Sequence, residues 1–101
     1  MMKLKNVKHR KNSFSRGAGL MFQKPSNPNV FHMKKEKIIP LHMLFVFYKL
    51  DVLYLDKNKS VVEKTSLKPF TFYTPKNKAM YVVEAPFGYF KNVSLGDKIF
   101  F

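Results

Sequence analysis

Leu50-Asp51-Val52-Leu53-Tyr54-Leu55 runs into Asp56-Lys57-Asn58-Lys59 and returns as Ser60-Val61-Val62-Glu63-Lys64-Thr65. The first six residues are apolar except for one acid and read as a strand. The four polar residues after them are turn chemistry without a glycine, which favours a type I turn over type I′. The returning stretch is then the partner strand, with Val61 and Glu63 on one face and Val62 on the other. This hairpin sets a β reading for the chain.

Working outward, residues 38–48 are apolar on both faces, the pattern of a fully buried strand, with Pro40 at its start or edge. Residues 30–33 form a strand ahead of the charged cluster 34–37, and 24–29 (KPSNPN) form a loop. Asn12 or Ser13 could cap a short helix over 14–22, with Phe14, Ala18, Met21 and Phe22 on one face. Gly17 and Gly19 would keep that helix short. Leu4 and Val7 fit a first strand, so residues 1–11 are a basic strand or a partly flexible arm. On the other side, 67–75 is an extended segment punctuated by prolines, and 79–85 (AMYVVEA) is a strand ended by Pro86. One helical turn over 87–93, a turn at 95–97 and a last strand over 98–101 complete the chain. The expected fold is mainly β, α+β at the margin. It is a single domain over 1–101 with a compact antiparallel barrel-like sheet and one or two short helices.

Composition agrees. Eleven Phe and five Tyr among 101 residues favour pleated, half-buried surfaces. There is no cysteine, which excludes disulfides and thiolate metal sites. The basic start is not followed by the apolar stretch of a signal peptide, and the run 41–48 is too short to span a bilayer. The expectation is a cytoplasmic protein without a membrane span, monomeric or weakly dimeric. Net charge is +13, of which +10 falls in residues 1–49 and +3 in residues 50–101. Such a basic half could hold nucleic acid through Lys3, Lys5, Lys8, Arg10 and Lys11. Only two of the cations are Arg, however, and a lysine-rich surface is the plainer reading.

Three stretches carry a family resemblance: Arg16-Gly-Ala-Gly-Leu-Met-Phe22; His42-Met-Leu-Phe-Val-Phe-Tyr-Lys-Leu-Asp-Val-Leu-Tyr-Leu-Asp56; and Tyr73-Thr-Pro75 followed by Ala79-Met-Tyr-Val-Val-Glu84, Gly88 and Leu95-Gly-Asp97. In this order they resemble the domain of unknown function 192 family, in which a Met is followed eight residues later by an Asp. Here that pair is Met43 and Asp51. Lys49 stands where the family usually has Pro, and Leu44-Phe45 stand where its bacterial branch has Lys-Asn. The resemblance implies a compact β-rich, barrel-like fold with short helices and no established reaction.

Asp51 is the first candidate functional residue. A carboxylate between Leu50 and Val52 needs partners, because an unpaired buried charge is costly. It is either a ligand-binding or acid/base group or an acceptor for backbone N–H groups or a cation; the structural role is the expected one. His32, Met33, His42 and Met43 would converge if their two strands paired. Neighbouring residues face opposite ways, though, so each strand offers one ligand per face and the expectation is no metal site. No nucleophile motif exists, and Gly17-Ala18-Gly19 lacks the third glycine of a nucleotide loop. Glu63 and Glu84 sit at strand ends, where solvated charges are common. Phe70, Phe72 and Tyr73 are a stacking platform or, as the plainer reading, rings that close the core. The resulting expectation is a ligand- or partner-binding module without a cofactor, its site drawn from His42, Met43, Asp51 and Tyr73. The alternatives are a nucleic-acid-associated basic protein and a hydrolytic or ligand-processing enzyme centred on Asp51.

Overall fold

A computed structural model describes residues 2–4, 7–10, 14–15, 19–21, 28–42 and 49–101, and every regular element among them is a β-strand. In chain order these are β1 (Met2–Lys3), β2 (Lys8–Arg10), β3 (Phe14–Ser15), β4 (Gly19–Met21), β5 (Asn29–Lys37), β6 (Leu41–His42), β7 (Leu50–Leu55), β8 (Val61–Leu67), β9 (Phe72–Tyr73), β10 (Ala79–Pro86) and β11 (Ile99–Phe100). They make a two-stranded sheet β1-β11, a five-stranded sheet β2-β5-β10-β7-β8 and a four-stranded sheet β3-β4-β6-β9. The pairings from β5 through β8 are antiparallel; β2 meets β5, β4 meets β6 and β1 meets β11 in parallel. The fold is mainly β, as the hairpin implied, and among the described residues its strands fall into three sheets rather than one closed barrel.

The hairpin is β7 and β8, in register from Leu50↔Leu67 to Leu55↔Val61 with a shift after Tyr54. Asp56 shapes its turn: Oδ1 accepts the N–H groups of Asn58 (2.8 Å) and Ser60 (3.0 Å), and its carbonyl accepts that of Lys59 (2.9 Å). Of the turn residues only Lys59 has positive φ (63°), whereas a type I′ turn needs it at both central residues.

Strands β7 and β10 are buried on both faces, which explains the near-continuous apolar run of β7. On one face Phe31, Val52, Tyr54 and Val82 pack with Ile39, Leu41 and Leu67, and Tyr73 lies against them. On the other, Val30, Leu53, Val83 and Ala85 are covered by Leu4, Phe90, Val93 and Ile99. Each fully buried Val or Leu contributes about 1.5–3 kcal/mol, so this two-sided burial makes the centre of the sheet the anchor of the molecule.

Three expectations are corrected. Where a helix was expected over 14–22, Phe14–Ser15 and Gly19–Met21 are strands paired Phe14↔Leu20 and Ser15↔Gly19. Ser and Gly are poor helix formers, and pairing of β4 with β6 overrides the apolar spacing. The long strand expected over 38–48 is confined among the described residues to Leu41–His42. Pro40 has no N–H for a ladder, and 43–48 lie outside the described residues. Residues 87–93 are successive tight turns rather than a helical turn, with N–H to C=O bonds Tyr89→Pro86 (3.0 Å), Lys91→Gly88 (3.3 Å) and Val93→Phe90 (2.9 Å). No helix among the described residues is long and apolar enough to cross a membrane.

Candidate functional site

Asp51 lies in β7 on the same face as Leu53, and its side chain is buried. Three donors meet its carboxylate. Ser66 Oγ donates to Oδ1 at 2.7 Å, while the backbone N–H groups of Gly88 (3.0 Å) and Phe90 (3.2 Å) donate to Oδ2. The last two belong to the tight turns that cover this face of the sheet. Gly88 reaches its position through φ of 89°, a conformation that side chains with a Cβ rarely adopt. Asp51 therefore pins the 87–93 segment onto the sheet, as a buried carboxylate satisfied mainly by backbone donors.

Beside it lies an open groove of about 230 Å³ lined by Lys49, Ser66, Leu67, Lys68 and Phe87. Lys49 Nζ stands 5.1 Å from the centroid of the Phe87 ring, which is exposed. Among the described residues neither Lys49 nor Lys68 is paired with a carboxylate. Ser66 spends its one hydroxyl proton on Asp51, so toward the groove it offers lone pairs. The groove thus combines two cations, one acceptor and one aromatic face. A single anion, a flat ring or an N–H edge fits it, and Asp51 underneath fixes both Ser66 and the backbone that carries Phe87.

The remaining carboxylates are also held. Glu63 accepts Tyr73 Oη, the N–H groups of Lys76 (2.9 Å) and Asn77 (3.1 Å), and Asn77 Nδ2 (3.0 Å). Burial works against its charge, but these donors outweigh it and hold the carboxyl below its ordinary value. Burial and then the neighbouring Glu63 push the Tyr73 hydroxyl up to about 12. Glu84 is buried and accepts Asn29 Nδ2 at 2.8 Å across the β5–β10 ladder. Glu84 is therefore a core group rather than the solvated strand end expected of it.

Of the expected site residues, His42 and Tyr73 lie on the paired strands β6 and β9, in register Leu41↔Tyr73 and His42↔Phe72, whereas Asp51 is apart from Tyr73. Asp51 and Tyr73 lie on opposite faces of the central sheet, since Tyr73 packs near Tyr54, with ring centroids 6.1 Å apart. His42 is in β6 of another sheet, and Met43 lies outside the described residues. The strands of His32 and His42 do not pair. His32 instead meets Tyr81 edge-on at 5.3 Å and Phe101 at 6.0 Å, while Met33 packs on the opposite core. Among the described residues no three His, Asp or Glu side chains form a metal-binding group. Lys3 lies in β1, paired with β11, and Lys8 and Arg10 lie in β2, paired with β5; Lys5 and Lys11 lie outside the described residues.

Core closure by Phe70 and Phe72 is overturned: they are 54% and 70% exposed. Phe70 has φ of 62° in a turn where Thr71 Oγ1 donates to the Lys68 carbonyl at 2.7 Å, and β9 turns Tyr73 inward and Phe72 outward. Ser66 and Phe87 were missed. Counting across the hairpin from Leu55↔Val61 reaches Thr65, and the register shift between Tyr54 and Leu55 is what puts Ser66 opposite Asp51, so nothing in the sequence pointed to it directly.

The family model DUF192, described as "Uncharacterized ACR", matches residues 3–101. The chain belongs to the domain of unknown function 192 family. A UPF0127 protein of Pyrococcus furiosus is 40% identical over 97 residues, covering 92% of this chain and 84% of that protein. Another from Pyrococcus horikoshii is 41% identical over 88 residues, covering 83% and 76%. In structure, the DUF192 chain is similar to a Sinorhizobium meliloti protein described as a "putative transcription regulator", with TM-score 0.76, 20% identity and coverage of 91% and 78%. It is also similar to a protein of unknown function from Novosphingobium aromaticivorans, with TM-score 0.73, 17% identity and coverage of 91% and 71%. At these identities the two structures establish a shared fold and nothing about a ligand.

Proposed function

We propose that this DUF192 domain is a binding module whose ligand site is the groove between Lys49, Ser66, Lys68 and Phe87, and that Asp51 builds that site rather than reacting in it. The observation that carries this reading is the occupancy of the Asp51 carboxylate. A general base needs a lone pair open to the substrate proton, whereas this carboxylate is buried and three of its roughly four lone-pair sites accept donors from the protein itself. What faces solvent beside it is a donor–acceptor–ring set suited to an anionic ligand with a flat, N–H-bearing part.

An NMR titration with inorganic phosphate and with a nucleoside monophosphate tests this. Amide shifts are expected at Lys49, Ser66, Leu67, Lys68 and Phe87, and a double Lys49→Ala/Lys68→Ala variant should abolish them. Shifts concentrated elsewhere would overturn the reading. Hydrolysis of an ester substrate that Asp51→Asn stops, in a variant still folded, would instead favour the enzyme alternative.

A further inference from the structure

Among the described residues β8 is an edge strand of the five-stranded sheet, and Ser66 and Leu67 at its end also line the groove. Pro86 has no N–H, so its pairing with Leu50 is of the kind that exchanges no hydrogen bonds. By the alternation of an antiparallel ladder, Asp51 then bonds Ala85 in β10. Ser66, opposite Asp51 on the other side, therefore turns its N–H and C=O away from β7, and so does Lys64. Val62 agrees with this direction, since its carbonyl accepts Asn77 Nδ2 at 3.3 Å outside the ladder. At the other end of the strand the Lys68 carbonyl accepts Thr71 Oγ1. Between these two, nothing among the described residues bonds to the outward main-chain groups of Lys64 and Ser66, and Ser66 is exposed. We propose that this open edge and the groove together bind the carboxyl-terminal end of another polypeptide. Its backbone adds a short strand to β8 along Lys64–Ser66, and its terminal carboxylate sits in the groove beside Lys49 and Lys68.

The inference rests on the groove reading and names its ligand. A peptide terminus carries each part that the groove fits. Its carboxylate meets the two lysines, its flat amide offers an N–H to the Ser66 acceptor, and an apolar last side chain meets Leu67 and the Phe87 ring. At about 230 Å³ the groove is below the roughly 300–1,000 Å³ of pockets that enclose a whole ligand, so it takes one residue of a longer chain. The open edge is short as well, bounded by Asn77 on one side and the turn after Lys68 on the other, which suits a chain end. Lys64 does not guard the edge as an outward lysine would, because its Nζ donates to the Val93 carbonyl at 2.8 Å. A second copy of this chain is the weaker occupant. Pairing two β8 edges would bring Lys64 and Lys68 of one copy near those of the other, on chains that each carry +13.

The test titrates the full chain with a fluorescein-labelled hexapeptide of alternating Thr and Val that ends in a free carboxylate, read by anisotropy and by amide NMR. The same peptide with an amidated C-terminus, and with its last three amides N-methylated, serve as comparators. Binding should shift the amides of Lys64 and Ser66 as well as those of the groove. Amidation should weaken it at least about tenfold, the worth of hydrogen bonds to a charged group. N-methylation should weaken it at least about fivefold, the worth of one main-chain hydrogen bond. Lys49→Gln/Lys68→Gln, whose folding circular dichroism checks, should bind the acid and the amide alike. No binding of the free acid, or binding indifferent to amidation or to N-methylation, would overturn the proposal. So would a dimer in sedimentation whose formation shifts the Lys64 and Ser66 amides without peptide. Phosphate shifts in the groove without peptide binding would leave the groove reading standing and remove only this inference. Phosphate shifts elsewhere, with no peptide binding, would remove both.

Discussion

Ser66 Oγ donates to Asp51 Oδ1 at 2.7 Å from the position directly opposite it in the β7–β8 ladder. The bond joins a wall of the groove to the carboxylate that holds the 87–93 turns, so one buried charge organises two strands and a loop.

Asp51→Asn should therefore be a stability variant. The amide keeps the shape and can turn its NH₂ toward Ser66, whose hydroxyl then accepts, but the Gly88 and Phe90 N–H groups are left with a neutral carbonyl in place of a charged oxygen. Loss of a charged acceptor of buried donors should cost about 2–4 kcal/mol. Ser66→Ala removes one partly exposed bond and should cost about 1 kcal/mol or less. Urea unfolding of both variants checks the order; an Asn variant as stable as the parent would refute the anchoring role.

Gly88→Ala probes the same anchor from the loop. An added Cβ meets no atom within 4 Å, so crowding is not the issue, but φ of 89° disfavours any side chain. The expected cost is about 1–2 kcal/mol. Because that φ aims the Gly88 N–H at Asp51, the two changes should be non-additive in a double-mutant cycle, coupled by at least about 0.5 kcal/mol. Additive losses would show that the loop is held by something else.

In the core, Tyr54 is fully buried and its hydroxyl donates to the Ile39 carbonyl at 3.0 Å. Tyr54→Phe leaves that carbonyl unpaired by this donor and should cost about 1 kcal/mol. Tyr54→Ala adds a cavity and should cost about 3–5 kcal/mol. Comparison of the two by thermal and urea unfolding separates the hydrogen bond from the packing.

What the sequence revealed follows from where the determinants lie. The β7–β8 hairpin was legible to within two residues because periodicity, propensity and turn chemistry agree there. The segment over 14–22 was not, since its apolar spacing fits a helix face while its strand state comes from pairing β4 with β6, a partner distant in sequence. Asp51 was legible as a residue needing partners, but not which ones, because Gly88 and Phe90 offer backbone N–H groups that no side-chain motif encodes. The groove escaped for the same reason. Its walls come from the start of β7, the end of β8 and the loop after β10, and only the sheet order brings these together.

The pair Glu63–Tyr73 makes stability depend on pH at both extremes. Partial burial opposes the Glu63 charge, yet the donors from Tyr73, Asn77 and Lys76 leave its pKa below the reference of 4.5 in the folded state. Its contribution is therefore fully present above about pH 4.5 and is lost as pH falls through the lower folded value. Tyr73 runs the other way. Burial and Glu63 raise it from 10.0 to about 12, with a hydrogen bond from Thr65 offsetting part of the rise. In the unfolded chain the phenol loses its proton near 10 while the folded one keeps it, so stability is complete below about 10 and declines as pH climbs toward 12. Glu63→Gln should act on both limbs. Tyr73 loses its carboxylate partner, so the alkaline decline still begins near 10 but ends sooner and is smaller, while the acid limb flattens; at neutral pH the loss should be on the order of 1 kcal/mol. Urea midpoints measured from acid to alkaline pH, together with tyrosinate absorbance, check this. A Glu63→Gln curve that merely runs parallel to the parent's would show that the pair does not set the pH dependence.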